Sequence, residues 1–363
     1  AGIIGITTAL KIQERGEYDV SIIAETFPTD EKTIKYTSHW AGAHHVMAIT
    51  GDPQQQKLEK ETFEIMWDLS RPGGEAEGCF LRAPQTEYYN FDPNFSRYDL
   101  SFMPDFRHLS PDDRPNIPDL KAAVSMTAIN INVPVYLPYL FSRFLARGGT
   151  VVRGTVQHVD QVLEGGLSAF TRKRTCDGFN EASIDALVVC AGMGTRTLGG
   201  VEDQSVYPVR GQTVLLHAPW VKAGMSLVPS SAGSGTYVIP RRNGDVIVGG
   251  TRDANDWYPI PRPETTTDIL RRGLALCPEL ASPLVREERE PSIEDLRSIL
   301  LEEGCGLRPA RKGGIRLETE WFEVPRTKEC KIPVIHNYGH GGFGFQTSWG
   351  SASAALQLLG EAL

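Results

Sequence analysis

The sequence predicts an α/β protein in which a Rossmann-like dinucleotide-binding domain is interrupted by an inserted, mostly antiparallel sheet domain. Two observations lead to this fold class. Near both ends of the chain, a glycine-rich turn adjoins a short apolar strand and a helix, as in a dinucleotide-binding unit. Between residues 208 and 248, short apolar runs alternate with polar turns, which favours antiparallel strands.

The first 25 residues carry the first part of the dinucleotide-binding pattern. The opening run AGIIG resembles the end of a G-x-G-x-x-G turn, with Gly2 and Gly5 as its second and third glycines. Helical spacing follows up to Gly16, and an apolar strand then ends at Glu25, where such domains hydrogen-bond the adenosine ribose. On these residues alone, a ribose ligand and a solvated strand end are equally good interpretations of Glu25. The first glycine and its strand are missing, which we interpret as a truncation of the sequence.

The stretch from Cys305 to Gly350 contains the second glycine turn. A strand-like run at residues 332–335 enters a glycine-rich loop, and a helical segment starts at Ser348. The loop glycines are Gly339, Gly341, Gly342 and Gly344. Such a loop lets the backbone approach a ligand closely or turn with positive φ, and a helix N-terminus after it can face an anion. Taken alone, the stretch favours an ordinary tight loop.

Composition and element order divide the chain into two discontinuous domains. The predicted dinucleotide-binding domain comprises residues 1–50, 133–207 and 305–363, and the predicted substrate-binding domain comprises 51–132 and 208–304. A cleft between two such domains is the usual place for a small-molecule site.

The segment SHWAGA, which is rich in small residues, lies at residues 38–43 and is followed by His44 and His45. Small residues at this place would let the backbone lie against a ring. The two histidines have the chemistry of ligands or bases, but a buried structural role is more common for such a pair.

Composition excludes several classes of function. The chain is 40% hydrophobic and 23% charged, and its net charge of −8 argues against nucleic-acid and membrane-surface partners. An anionic substrate would therefore need a locally positive pocket. The six cysteines show no CxxC spacing and no cluster with histidine, so we predict no metal site and expect reduced thiols in an intracellular protein. The sequence shows no bilayer-spanning run and no signal peptide.

Seven segments together resemble the flavin-dependent D-amino acid oxidases, over nearly all of the chain. In chain order they are AGIIG, WAGA, VRGQT, TYVIP, VGGTR, GLRPAR and HNYGHGGFG. The resemblance implies FAD, bound without a covalent link. The residues that it implies for FAD binding are Gly2, Ile4, Gly5, Glu25, Ser38, Ala41, Gly42, Ala43, Val156, Ala191, Gly192, Gly341, Gly342, Gly344, Phe345 and Gln346.

The implied reaction transfers a hydride from the substrate Cα to flavin N5. The imino acid then hydrolyses to a 2-oxo acid and ammonia, and oxygen becomes hydrogen peroxide. The resemblance implies that Arg308 binds the α-carboxylate, for which a planar, permanently charged fork is well suited, and that Tyr237 donates its hydroxyl to the same group. A surface ion pair is the ordinary role of an arbitrary arginine, but the GLRPAR context favours the substrate role for Arg308.

The residue after VGGT sets the expected substrate. Arg252 stands there, which resembles the D-aspartate oxidases. In oxidases of neutral D-amino acids, the same position is apolar or aromatic. The resemblance therefore implies an acidic substrate such as D-aspartate or D-glutamate, with His44 or His45 as a further donor. Against this, the expected lid at residues 226–235 contains no arginine or lysine. If Arg252 turns outward, neutral substrates are expected instead.

Other functions stay open at this point. One is an oxidase of neutral or broad specificity, or a glycine or sarcosine oxidase of the same fold. The others are a nicotinamide-dependent dehydrogenase and a flavin-binding redox sensor without turnover. The resemblance also implies a peroxisomal location, otherwise a cytoplasmic one, although the chain ends in GEAL rather than in a peroxisomal tripeptide. The expected partners are the substrate and molecular oxygen, with a homo-oligomer as an inference from the family.

Overall fold

The computed structural model describes residues 1–46, 52–115, 117–171, 184–230, 235–324 and 327–363. Its helices are α1 (Ile3–Arg15), α2 (Pro53–Leu69), α3 (Val133–Ala146), α4 (Asp160–Gly165), α5 (Pro263–Leu276), α6 (Pro283–Glu288), α7 (Ile293–Arg297) and α8 (Gly344–Ala362). Its strands are β1 (Ser21–Ala24), β2 (His44–His45), β3 (Phe80–Tyr89), β4 (Arg107–His108), β5 (Ala122–Ile131), β6 (Thr150–Arg153), β7 (Leu187–Val189), β8 (Val206–His217), β9 (Gly224–Val228), β10 (Thr236–Pro240), β11 (Asp245–Gly249), β12 (Asp253–Ala254), β13 (Leu300–Arg311), β14 (Arg316–Val324) and β15 (Thr327–Tyr338). The predicted α/β class is confirmed.

The chain divides into two compact units, each assembled from separate segments. The first unit comprises Ala1–Lys32, Leu137–Pro208 and Arg308–Leu363, and the second comprises Thr33–Tyr136 and Val209–Leu307.

Residues 33–46 lie in the second unit, although the sequence grouped them with the dinucleotide-binding segments. The reason is long-range pairing. Strand β2 forms an antiparallel ladder with β5, in which His44 lies opposite Asn130. The Thr37 hydroxyl also donates to the Leu307 carbonyl at 2.7 Å. The assignment of a cofactor role and a substrate role to the two domains stays a prediction.

The first unit contains two parallel ladders. β1 pairs with β6, and β7 pairs with β15, whose other edge carries β14 in an antiparallel ladder. A buried apolar cluster of Ile12, Ile335 and Leu359 joins α1, β15 and α8. A Cβ built on Gly5 would lie 3.4 Å from the Cβ of Cys190, just after β7. A glycine at this place lets α1 approach the end of the strand closely.

The second unit is organised on a ten-stranded sheet. Its order is β12-β8-β11-β10-β9-β3-β5-β2, with β13 beside β8 and β4 beside β5. Most of its ladders are antiparallel, while β3 and β9 pair in parallel. Helix α5 covers one part of the sheet, because Ile269 and Leu270 pack with Val214, Val238 and Val248 in a fully buried cluster.

Within the described ranges, no helix is long and apolar enough to cross a bilayer. The same residues contain no group of three or more His, Cys, Asp or Glu side chains that could hold a metal ion. Free thiols occur at Cys79, Cys190, Cys277 and Cys305.

Candidate active site

In the first unit, the end of β13 runs between two glycine loops. A Cβ built on Gly192 would lie 3.8 Å from the Pro309 ring, and Gly192 has a left-handed φ of +54°. In the other loop, Gly341 has φ +56°. A Cβ built on the exposed Gly342 would lie 3.5 Å from Cδ of Arg308. The structure therefore brings the predicted carboxylate ligand Arg308 beside the predicted cofactor loop.

A buried hydrogen-bond network fixes this second loop. His340 Nδ1 lies 2.8 Å from Thr347 Oγ1, and His340 Nε2 lies 3.0 Å from Asn337 Oδ1. The Asn337 amide donates to Thr8 Oγ1 in α1 at 3.1 Å and to Ser351 Oγ in α8 at 3.4 Å. Since burial removes water from the ring, the pKa of His340 falls to about 3. A neutral His340 that donates through Nε2 satisfies the Asn337 oxygen and ties the loop to both helices.

Helices α1 and α8 begin without a side-chain cap and without an acidic residue in the first turn. By contrast, Asp52 caps α2 and Ser282 caps α6. An uncapped N-terminus presents backbone N–H groups and the positive end of the helix dipole to an anion or an electron-rich ring. Predicted cofactor residues lie at both of these helix N-termini, namely Gly2, Ile4, Gly5, Gly344, Phe345 and Gln346.

The residues predicted for the adenosine part lie near the ends of β1, β6 and β7. Glu25 follows β1 and is exposed, and Arg153 at the end of β6 donates to its carbonyl at 2.9 Å. Arg153 also pairs with Asp30 at 2.7 Å, which fixes the end of β1. Ala191 is exposed, whereas Val156 is half-buried and packs against the apolar core of this unit.

In the second unit, Tyr237 on β10 lies against glycine backbone. A Cβ built on Gly249 would be 2.2 Å from Cζ of Tyr237, and one built on Gly250 would be 2.5 Å from its hydroxyl oxygen. A side chain at either position would displace the ring. A Cβ built on Gly42 would lie 3.6 Å from Cε2 of the same ring, and the ring centroid of His44 is 6.3 Å away. The predicted residues Tyr237, Gly42 and His44 are therefore neighbours.

The structure separates the two histidines that the sequence treated as alternatives. They follow Ala43, whose φ is +55°, and point to opposite faces of β2. His45 is fully buried, with Nε2 3.0 Å from the Glu59 carbonyl and its ring edge-on to Phe63. His44 lies on the Tyr237 side, and burial lowers its pKa to about 4. Only His44 is brought to the predicted substrate residues of this unit.

Two contacts fix the SHWAGA segment. Ser38 lies in the 3₁₀ turn that ends at Trp40, and a Cβ built on Gly306 would lie 2.9 Å from the Cβ of Trp40. The buried Arg241 donates to the carbonyl of Ala41 at 3.2 Å. Burial lowers the pKa of Arg241 to about 10. Sequence reasoning did not single out Arg241.

Arg252 lies two residues after Gly250, the second glycine of the pair that packs against Tyr237, and is exposed. The preceding Thr251 is buried, and its hydroxyl accepts from the Gln212 backbone N–H at 3.0 Å. Of the expected lid at 226–235, residues 231–234 lie outside the described residues.

Comparison with known proteins supplies the family. The DAO family, described as FAD dependent oxidoreductase, matches residues 1–358. The chain belongs to this family. The protein is therefore an oxidoreductase with FAD as its cofactor, and both expectations are confirmed.

Two curated relatives of this oxidoreductase align over almost the whole chain. A D-aspartate oxidase of Cryptococcus neoformans var. grubii is 37% identical over 400 residues, covering 100% of this chain and 95% of the relative. A D-amino-acid oxidase of Schizosaccharomyces pombe is 32% identical over 362 residues, covering 99% and 94%.

Solved structures share the fold at lower identity. Glycine oxidase from Bacillus cereus has a TM-score of 0.66 at 16% identity, covering 99% of this chain and 95% of its own. L-Amino acid deaminase from Proteus myxofaciens has a TM-score of 0.69 at 12% identity, covering 100% and 89%.

The described residues of the oxidoreductase fit FAD. The uncapped N-terminus of α1 suits the pyrophosphate, and the uncapped N-terminus of α8 suits an electron-rich ring. Gly342 is exposed, so the backbone there is accessible to a flat group without an intervening side chain.

Sequence reasoning missed a buried carboxyl group on the Tyr237 face of the sheet. The ladders pair Tyr237 with Ser226 and Ser226 with Glu87, so the three side chains share one face. Gln85 donates to Glu87 at 2.6 Å and to Ser226 at 3.0 Å. Burial raises the pKa of Glu87 to about 7. Gln85 and Glu87 are two residues apart in the run FLRAPQTEYY, and this spacing is the signal that could have placed both on one face of a strand.

The first prediction concerns Glu87. An acid whose pKa is raised on folding, here from 4.5 to about 7, releases its proton on unfolding between these pH values. Stability should therefore fall as the pH rises through this window. Glu87→Gln should remove that loss, and should stabilise the protein by up to about 3 kcal/mol at pH 8 but much less at pH 5. Urea unfolding at both pH values measures this. The exposed Glu287→Gln is the matched control, and an equal effect of Glu87→Gln at both pH values would contradict the assignment.

Proposed function

We propose that this oxidoreductase oxidises acidic D-amino acids, D-aspartate first and D-glutamate with it, to the 2-oxo acid, ammonia and hydrogen peroxide. The observation that carries the proposal is the place of Arg252. It lies two residues beyond Gly250, whose backbone borders the Tyr237 hydroxyl. The name of the Cryptococcus relative, D-aspartate oxidase, supports the same substrate class.

Bound FAD supplies the redox chemistry, taking two electrons from the substrate and passing them to molecular oxygen. Overall, the amino acid, oxygen and water give the 2-oxo acid, ammonia and hydrogen peroxide. The part of the protein is to bind the amino acid, fix its orientation and exclude competing reactions.

Arg308 is proposed to bind the α-carboxylate. A guanidinium is planar and always charged, and it can donate two parallel hydrogen bonds to a carboxylate. Its neighbour Gly342 has no side chain, so the Arg308 side chain has room beside the loop. The Tyr237 hydroxyl is proposed to donate to the same carboxylate. Two donors from different elements fix the orientation of the amino acid better than one.

Arg252 is proposed to bind the side-chain carboxylate. His44 is the remaining candidate donor, but its pKa of about 4 makes it neutral at physiological pH. It can therefore donate a hydrogen bond but supplies no charge, which leaves the charge to Arg252. A neutral substrate offers that charge no second carboxylate, so selectivity follows from the same residue.

FAD is proposed to be held by three groups of residues. The N-terminal group takes the ADP part, the group at 38–43 and the glycine loop take the flavin, and the third group takes the adenine. They are Gly2, Ile4, Gly5 and Glu25; then Ser38, Ala41, Gly42, Ala43, Gly341, Gly342, Gly344, Phe345 and Gln346; and last Val156, Ala191 and Gly192. His45 is not included among the substrate residues, because it packs against Glu59 and Phe63.

A second candidate is an oxidase of neutral or broad D-amino acid specificity. The observation in its favour is that Arg252 is exposed. The Schizosaccharomyces relative, named D-amino-acid oxidase, agrees with it. We also propose a peroxisomal location, because the peroxide product suits that compartment. A homo-oligomer is proposed from the family alone.

The second prediction is that FAD is bound without a covalent link. Acid or heat denaturation of the yellow protein should leave free FAD in the supernatant, because only non-covalent contacts at helix ends and glycine loops hold it. Absorbance of the supernatant and of the redissolved pellet measures the partition. Flavin that stays with the precipitated chain would contradict the proposal.

The third prediction concerns Arg308. Arg308→Ala should lower kcat/KM for every D-amino acid alike, by at least about tenfold and up to the order of a thousandfold, because the charge-assisted pair with the α-carboxylate is lost. The flavin absorbance should stay. Arg308→Lys keeps the charge but not the planar fork, so its kcat/KM should lie between those of the wild type and Arg308→Ala. Near-normal turnover in Arg308→Ala would rule out this role.

The fourth prediction concerns Arg252. Arg252→Met should lower kcat/KM for D-aspartate while that for D-alanine stays equal or rises, so their ratio should change by at least about tenfold, or roughly 1.4 kcal/mol. Arg271→Met, at an exposed arginine on α5, is the matched control and should leave the ratio unchanged. If the ratio stays at the wild-type value in both variants, the enzyme is a general D-amino acid oxidase.

A further inference from the structure

Arg210 on β8 is a fully buried arginine that binds the backbone of a distant loop. Its Nε donates to the Tyr258 carbonyl at 2.9 Å, and its Nη2 donates to the Ile260 carbonyl at 2.7 Å and to Gln212 Oε1 at 3.0 Å. Its Nη1 lies 3.8 Å from the carboxylate of Asp253. A buried guanidinium is tolerated only with such partners, so these contacts set the position of the loop as much as that of the arginine.

Gln212, two residues further along β8 and also buried, binds the two ends of the same loop. At the first end, its backbone N–H donates to Thr251 Oγ1 at 3.0 Å. At the other end, its side chain accepts from the Arg262 N–H at 2.8 Å and donates to the Arg262 carbonyl at 2.9 Å. The amide also donates to Thr266 in α5 at 3.0 Å. Both polar atoms of the side chain are therefore used.

These contacts enclose Arg252 within the 251–262 loop. The residue before it, Thr251, is bound to Gln212, and the residue after it, Asp253, pairs with Arg210 in the β12–β8 ladder. Inside the loop, Arg262 pairs with Asp256 at 2.6 Å and lies over the Tyr258 ring at 4.8 Å. The backbone of Arg252 is thus fixed from β8 on both sides, although the Arg252 side chain is exposed.

We propose that Arg210 and Gln212 are positioning residues that set selectivity for acidic substrates through the 251–262 loop. The inference rests on the proposed role of Arg252. An arginine side chain has several rotatable bonds, so the place that its guanidinium reaches depends on where its backbone is held. A small misplacement of a binding group lowers kcat/KM, because the substrate is then no longer held in the reactive orientation. Arg210 and Gln212 act in this way through the loop backbone.

The choice of arginine at position 210 follows from geometry. The acceptors are two carbonyls two residues apart and an amide oxygen, which a planar fork can meet at the same time. A lysine ammonium is a compact charge on a flexible chain and cannot span them. Arg210→Lys therefore keeps the charge and removes the simultaneous hydrogen bonds to the loop.

Two independent changes test the proposal. One is Arg210→Lys. The other is the pair Thr251→Val and Thr251→Ser, in which valine removes the acceptor of the Gln212 N–H at nearly constant shape and serine keeps it. Arg143→Lys, at a partly buried arginine that pairs with Glu14 at 2.7 Å, controls for a general loss of stability. The measurements are kcat and KM for D-aspartate and D-alanine, with the melting temperature of each variant.

The expected result is a fall of about tenfold in the D-aspartate to D-alanine ratio of kcat/KM in Arg210→Lys and Thr251→Val, carried by KM for D-aspartate. Thr251→Ser and Arg143→Lys should stay within about twofold of the wild-type ratio. If Arg210→Lys does not fold, the Thr251 pair decides alone. An unchanged ratio in folded Thr251→Val would overturn the proposal.

A double variant separates this inference from the proposed function. In the Arg252→Met background, Arg210→Lys should change the ratio by less than about twofold, because the residue that it positions is gone. A further tenfold fall in that background would show that Arg210 acts on another group and would overturn the inference. If Arg252→Met alone leaves the ratio unchanged, the proposed function fails, and the inference fails with it. If only Arg252→Met changes the ratio, the proposed function stands and the inference fails.

Discussion

The absence of side chains at Gly249 and Gly250 is the constraint on which the second unit depends. The Tyr237 ring occupies the space that a Cβ at either position would need, and its Cε2 atom lies 3.6 Å from a Cβ built on Gly42. Arg272 of α5 reinforces this contact, because it donates to the Gly235 and Gly250 carbonyls at 3.0 and 3.3 Å. One packing contact therefore sets the relation of β10, the SHWAGA segment and the start of the 251–262 loop. Any role of Tyr237 in binding substrate relies on this contact between ring and backbone.

Charge is distributed unevenly between the groups of the candidate site. The chain as a whole carries −8, which would repel a dicarboxylate. Burial keeps His44 and His340 neutral, with pKa values of about 4 and about 3, so neither offsets that charge. Burial also keeps Glu87 largely protonated below about pH 7, which limits negative charge on the Tyr237 face. Positive charge in the proposed site is therefore expected from its arginines, which stay charged at physiological pH.

Local pattern predicted much of the fold but little of the long-range pairing. The glycine turns, the strand before Glu25 and the TYVIP strand follow from short-range periodicity, and the structure has them. The two-residue β2 has no periodicity, so its pairing with β5, which moves residues 33–46 into the second unit, was not readable. The ten residues of β3 include buried residues on both faces, which hides the alternation of a strand. For the site, residue type and context suggested Arg308 and Tyr237, but Arg210 and Arg241 are ordinary arginines in the sequence. Only their burial distinguishes them.

The two arginines proposed for substrate binding differ in how the fold supports them, and this difference bears on what can be altered. Arg308 lies near the end of β13 beside the loop that the buried His340 network ties to α1 and α8, so a change near it disturbs three elements. Arg252 is exposed, and Arg210 and Gln212 hold the 251–262 loop through Thr251 and the loop carbonyls. The proposed ligand of the substrate side chain thus lies on a loop whose backbone is held from β8, while the proposed ligand of the α-carboxylate lies near the end of a strand, half-buried beside the His340 loop.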